Sequence, residues 1–75
     1  MNTNTARTEI VEGTFALIAT GNCTEGWVID NDNITAHVYR RGVAGYGLRV
    51  KGHSVMLDLY TTRDAADAAM ARAEA

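Results

Sequence analysis

Proline is missing from the chain altogether, cysteine occurs once, and no uninterrupted apolar run exceeds FALIA at residues 15–19. Each scarcity excludes something. Without proline there is neither a semi-rigid polyproline spacer nor a proline-rich recognition motif. Cys23 stands alone and cannot close an internal disulfide, which suits a reducing compartment. The apolar run is far short of the ~20 helical residues needed to cross a bilayer. Residues 1–9, MNTNTARTE, lack the apolar stretch of a secretion signal. The triplets Asn22-Cys23-Thr24 and Asn33-Ile34-Thr35 are therefore not expected to carry glycans, and the expected location is the cytoplasm.

Groups able to do chemistry are equally sparse. Cys23, His37 and His53 are widely separated, without the short paired spacing of a metal site. A Cys23–His37 nucleophilic pair is the one catalytic arrangement to weigh, and a lone cysteine in a small domain is usually a buried hydrophobe. The expectation is a protein that is not an enzyme, with no catalytic residues, no metal and no cofactor.

What is present is an ordinary globular mixture, 47% hydrophobic and 21% charged, in 75 residues. That length allows one domain with a thin core, hiding only about 60% of the surface of its unfolded chain. Residues 1–8, polar and rich in threonine and asparagine, read as a flexible N-terminal tail, and 9–75 as a single α+β domain. The net charge of −2 is unevenly spread. Residues 1–33 set Arg7 against Glu9, Glu12, Glu25, Asp30 and Asp32, while residues 34–51 hold Arg40, Arg41, Arg49 and Lys51 with no acid.

EGTFALIAT (12–20) is apolar on both faces and predicts an interior strand, a helix being the alternative that Gly13 and Thr14 count against, with GWVID (26–30) a short strand behind it. ITAHVYR, YGLRVK and SVMLDLY then alternate with period 2, separated by glycines. Together they predict a four- to five-stranded antiparallel β-meander. In TTRDAADAAMARAEA the period becomes helical: Ala66, Ala69, Met70 and Ala73 fall on one stripe, with Asp64 in the first turn and Arg72 in the last. Thr61 and Thr62 are alternative caps. One C-terminal helix, lined by alanine, is expected on one face of the sheet.

Gly42, Gly45 and Gly47 lie between two predicted strands, not between a strand and a helix, so the dinucleotide fingerprint does not apply. No Gly-Lys-Ser/Thr follows, which excludes a P-loop. Gly42 and Gly45 read as turn residues, Gly52 as the close of the next hairpin, and Gly47 as a position inside a strand. A hairpin pairing Val38 with Leu48 sets Tyr39 over Gly47 and His37 beside Arg49, and a turn at Gly52-His53 brings in the next strand. One face then gathers His37, Tyr39, Arg49, Lys51, Met56, Asp58 and Tyr60, the predicted partner-binding surface. The other gathers Ile34, Ala36, Val38, Tyr46, Leu48, Val50, Val55, Leu57 and Leu59 beneath the helix. The side taken by Trp27 depends on the loop through Asn31-Asp32-Asn33. The core is the expectation for so large a ring in so small a domain.

The closing stretch YGLRVKGHSVMLDLYTTRDAADAAMARAE resembles the hairpin-and-helix ending of many small phage and bacterial open reading frames. A short, acidic, cysteine-poor α+β chain of this kind is similar to the small anti-defence proteins of phages, anti-CRISPR proteins among them. That resemblance implies stoichiometric inhibition by binding a host protein or nucleoprotein complex. It assigns no residues, because those proteins share no common motif. Two further readings stand beside it: a single-stranded nucleic-acid binder using the aromatic and basic face, and a homodimer paired by sheet edge or face. Overall acidity opposes the nucleic-acid reading, since affinity for phosphates rests on cations.

Overall fold

The computed structural model of the protein describes residues 6–19, 25–34 and 37–75. Its elements are β1 (Thr8–Ala19), β2 (Glu25–Ile29), β3 (His37–Val50), β4 (Asp58–Tyr60) and α1 (Arg63–Glu74). The four strands form one antiparallel sheet in the order β2-β1-β3-β4. This is the α+β architecture expected: a four-stranded antiparallel sheet and a C-terminal helix. β1 is interior, as its two-sided apolar character requires. It begins at Thr8, a residue assigned by sequence to the flexible tail but buried here. Residues 1–5 of that tail lie outside the described residues, as do Cys23 and Ala36.

The helix starts where local chemistry places it. Thr62 has extended backbone and its hydroxyl accepts the Ala65 N–H at 3.2 Å, which chooses between the two candidate caps. Ala66 and Ala69 are buried against the sheet, so the predicted stripe is the packed one. The far end is tied down by Glu74, whose carboxylate accepts both the Thr8 N–H at 2.7 Å and the Thr8 hydroxyl.

That bond identifies the covered face. Strand residues alternate, so Thr8, Ile10 and the exposed Glu12, with their partners Val50, Leu48 and Tyr46, lie on the helix side of the sheet. Glu9, Val11 and Phe15, with Arg49, Gly47 and Val43, lie on the opposite side. The assignment of Tyr46, Leu48 and Val50 to the helix side agrees with the alternation read from sequence.

The opposite face is not open. Beyond the turn at Gly52, the Met56 N–H donates to the Trp27 carbonyl at 2.8 Å, forming a bridge back to β2. The sheet thereby curls until its two edges meet. Its concave side is packed by Phe15, which is 0% exposed, and by Met56, with Trp27 and Leu59 contributing half-buried area. Trp27 therefore belongs to the interior, as expected, but to the interior of the curl and not to the helix side.

The expected hairpin through residues 39–47 does not exist. Residues 37–50 form one continuous strand, and His37 pairs with Ala19, Val38 with Ile18, Leu48 with Ile10 and Arg49 with Glu9. The long β1 supplies partners along nearly all of this strand, so a turn would sacrifice ladder hydrogen bonds. Nor does Tyr39 cover Gly47. That position is flanked by Val11 and Leu59, and the Met56 thioether and the Phe15 ring lie against it. The last strand is also displaced by one residue from the expected register: Asp58 pairs with Leu48 instead of Gly47. A one-residue slip exchanges the two faces. Leu59 accordingly points into the curl, Tyr60 joins Tyr46 on the helix side, and Val55 and Leu57, expected beneath the helix, are exposed.

Candidate functional site

The seven residues of the expected binding face do not converge. His37 and Tyr39 lie at the start of β3, while Arg49 lies near its end, roughly 30 Å away at the ~3.3 Å rise per residue of a strand. Lys51 is exposed in the following turn, and Asp58 is exposed on β4. Met56 is buried in the curl, and Tyr60 is half-buried on the helix side. Arg49 is half-buried and its Nε donates to Glu9 at 2.7 Å. The continuous course of β3, the shifted register of β4 and the bridge to Trp27 that buries Met56 account for these departures.

One end of the predicted surface does assemble, for a reason invisible in the alternation. Leu17 pairs with Arg40 and Ile18 with Val38, which leaves Tyr39 as an inserted residue with no partner on β1. Phe15 pairs with Val43, so a second insertion falls at residues 41–42. β3 is thus doubly bulged between Val38 and Val43. A bulge breaks the alternation and re-aims the inserted side chain. Tyr39 is 62% exposed, the most exposed of the large hydrophobic side chains among the described residues.

The second bulge is locked. Gly42 adopts φ +77°, a conformation that costs an L side chain dearly. Its N–H donates to Asp30 Oδ2 at 3.0 Å. Arg41 donates to Asp30 Oδ1 through Nε at 2.9 Å and through Nη2 at 2.5 Å. Nη2 also reaches the Asn31 carbonyl at 3.3 Å. The Arg41 hydrogen bond, helped by the Gly42 N–H and the guanidinium charge, holds the Asp30 carboxyl below its ordinary range against the opposing effect of partial burial. In the sequence Asp30 stands out only as one acid of the N-terminal third. A carboxylate following a strand and a bulge glycine twelve residues later offer no periodic signal of their meeting.

Arg40 sits between the two bulges, exposed, and forms no ion pair among the described residues. On the side away from β1, β3 pairs with β4 only at Tyr46, Gly47 and Leu48. The segment 37–43 is therefore a free edge among the described residues. Bulges and cations on such an edge discourage indiscriminate strand pairing. They leave side chains as the means of recognition. What results is a rigidly backed projection bearing one aromatic ring and one uncommitted guanidinium.

Among the described residues, no three His, Cys, Asp or Glu side chains converge on a point, and no helix is long and apolar enough to cross a membrane. Comparison with protein-family models, with curated proteins and with solved structures finds no match.

Proposed function

We propose that this protein is a non-enzymatic binding module that holds a protein partner against the bulged edge of β3. We further propose that it acts as a stoichiometric inhibitor of a host or defence nucleoprotein complex, in the manner of the small phage proteins it resembles. The observation that carries the reading is Tyr39, an inserted residue turned to solvent beside a bulge clamped by Asp30. A tyrosine has few torsions to immobilise, and tyrosine and arginine dominate interface hot spots. With the bulge already locked, little ordering entropy remains for binding to oppose.

The nucleic-acid alternative asks for a row of rings and cations along one face. Tyr39 and Tyr60 lie on different parts of the fold and Arg49 is committed to Glu9, which favours the protein partner.

The test places a photo-crosslinking residue at position 39 of the full chain, and at position 67 on the exposed side of α1 as a control, in lysate of a host cell. The expected result is one stoichiometric adduct, formed from position 39 and lost on competition with unlabelled protein. Tyr39→Ala should weaken that complex by about 2 kcal/mol, some thirtyfold. Equal capture from both positions, or none from position 39, refutes the assignment. A salt-sensitive shift of single-stranded oligonucleotides that disappears in Tyr39→Ala would transfer the site to the alternative.

A further inference from the structure

A cleft of about 520 Å³ opens between the loop after β2 and the turn after β3, within the size range of small-ligand sites. Tyr39 does not line it, so it is separate from the surface described above. Its apolar wall is branched and aliphatic: Val28, Ile29 and Ile34. Two of its polar residues, Asn31 and Arg49, keep unspent donors. The Asn31 side-chain oxygen already accepts the Asn33 N–H at 2.8 Å, so the Asn31 amide keeps its NH₂ donors. The Asn31 carbonyl accepts from Ile34 N–H at 3.4 Å and from Arg41 at 3.3 Å. Arg49 spends only Nε, on Glu9, and no hydrogen bond from its Nη atoms is formed among the described residues. The Asn33 side chain, the Ser54 hydroxyl and the His53 ring complete the rim. The Asn31 acceptors are thus engaged, while the Asn31 amide donors and the Arg49 Nη donors are left.

We propose that this cleft binds a small carboxylate carried on an aliphatic body. The ligand's oxygens accept from the Arg49 fork and the Asn31 amide while its hydrocarbon lies on Ile29 and Ile34. A carboxylate matches the geometry of a guanidinium. The pair with Glu9 holds Arg49 in place before the ligand arrives and moderates the attraction, so the expected affinity is near millimolar. A phosphate dianion finds only one fixed cation here, and a nucleobase finds no Phe, Tyr or Trp ring among the described lining residues, where the His53 imidazole is the one ring. The carboxylate could come from a free branched acid or from the C-terminus of a peptide ending in leucine, and the two sources are distinguishable by experiment.

The experiment is a titration of the ¹⁵N-labelled full chain, followed by backbone amide shifts, with 4-methylpentanoate, N-acetyl-leucine, their primary amides and inorganic phosphate. Saturable shifts confined to residues 28–34 and 49–54 are expected for the acids, and at least tenfold weaker binding for the amides. Stronger binding of N-acetyl-leucine assigns the peptide source, and stronger binding of 4-methylpentanoate the free acid. Arg49→Lys should weaken binding at least fivefold by removing the fork while keeping the charge. Ser54→Ala, outside every strand and exposed, should weaken it measurably without touching the Glu9 pair. Lys51→Gln, which does not line the cleft, should leave binding unchanged. The proposal is overturned if no such shifts appear up to about 10 mM ligand, if amides bind as well as acids, if phosphate binds as tightly as the carboxylates, or if both rim variants bind like the parent.

Discussion

Gly47→Ala isolates the packing that holds the curl closed. A Cβ built on Gly47 would lie 2.7 Å from Met56 Sδ, 2.8 Å from Met56 Cγ and 3.0 Å from Phe15 Cε1. A thioether tip on the surface would swing aside, but Met56 is 4% exposed and Phe15 0%, so neither has space to yield. Overpacking a filled core costs about 1–3 kcal/mol. Removing a glycine from the unfolded chain returns roughly 0.4–1 kcal/mol. The net expectation is a loss of about 1–2 kcal/mol, a large share of the ~5 kcal/mol that a domain this small commands. With a urea m-value near 1 kcal/mol/M, the unfolding midpoint should fall by about 1–2 M. Trp27 is the sole tryptophan and borders Met56, so its fluorescence reports the transition directly. Met56→Ala alone should cost about 2–5 kcal/mol. In the double variant the added methyl group fills part of the vacated space, and the two costs should fall short of their sum by at least ~1 kcal/mol. A Gly47→Ala protein as stable as the parent, or costs that add within ~0.5 kcal/mol, would refute the packing of the concave side.

The clamp and the helix give further expectations. Gly42→Ala should destabilise by about 1 kcal/mol although its Cβ meets nothing within 4 Å, because φ +77° is itself the penalty; Gly42→Asn should lose less in the same urea titration. Asp30 and Glu74 are both held below their ordinary pKa, Asp30 chiefly by the Arg41 hydrogen bond and Glu74 chiefly by that of the Thr8 hydroxyl. The folded state thus binds fewer protons than the unfolded one, so their contribution is complete above the unfolded carboxylate range and is lost as pH falls through the folded values. Below pH ~4 the melting temperature should drop less steeply in Asp30→Asn and Glu74→Gln than in the parent, and equal acid slopes would contradict the clamp and the tether. Thr62→Ala removes the cap that accepts the Ala65 N–H and should cost about 1 kcal/mol, measured by helix ellipticity on heating.

The parts of this protein that its sequence determined alone are those in which a residue's fate depends on near neighbours. The helical stripe through Ala66 and Ala69 and the cap before Asp64 are arrangements within one or two turns of chain. The placement of Tyr46, Leu48 and Val50 on one side follows from alternation within a single strand, and β1 is interior because its own residues are apolar both ways. Tertiary structure alone decided what required a choice of distant partner. The glycines at 42–47 suit a turn equally well as a bulge, and the length of β1 settled the matter by pairing along nearly all of β3. The register of β4 rests on one residue of offset, and the bridge from Met56 to Trp27 selects it, leaving Met56 on the side opposite the helix and putting Leu59 there in place of Asp58 and Tyr60. Tyr39 was legible as a surface residue, but its prominence comes from its insertion between the partners of Leu17 and Ile18, and the Asp30 carboxylate that holds the neighbouring bulge arrives from the loop after β2. Local propensity costs nothing to satisfy nearby; a ladder, a bulge and a clamp exist only when remote segments meet, and no periodicity within one segment encodes that meeting.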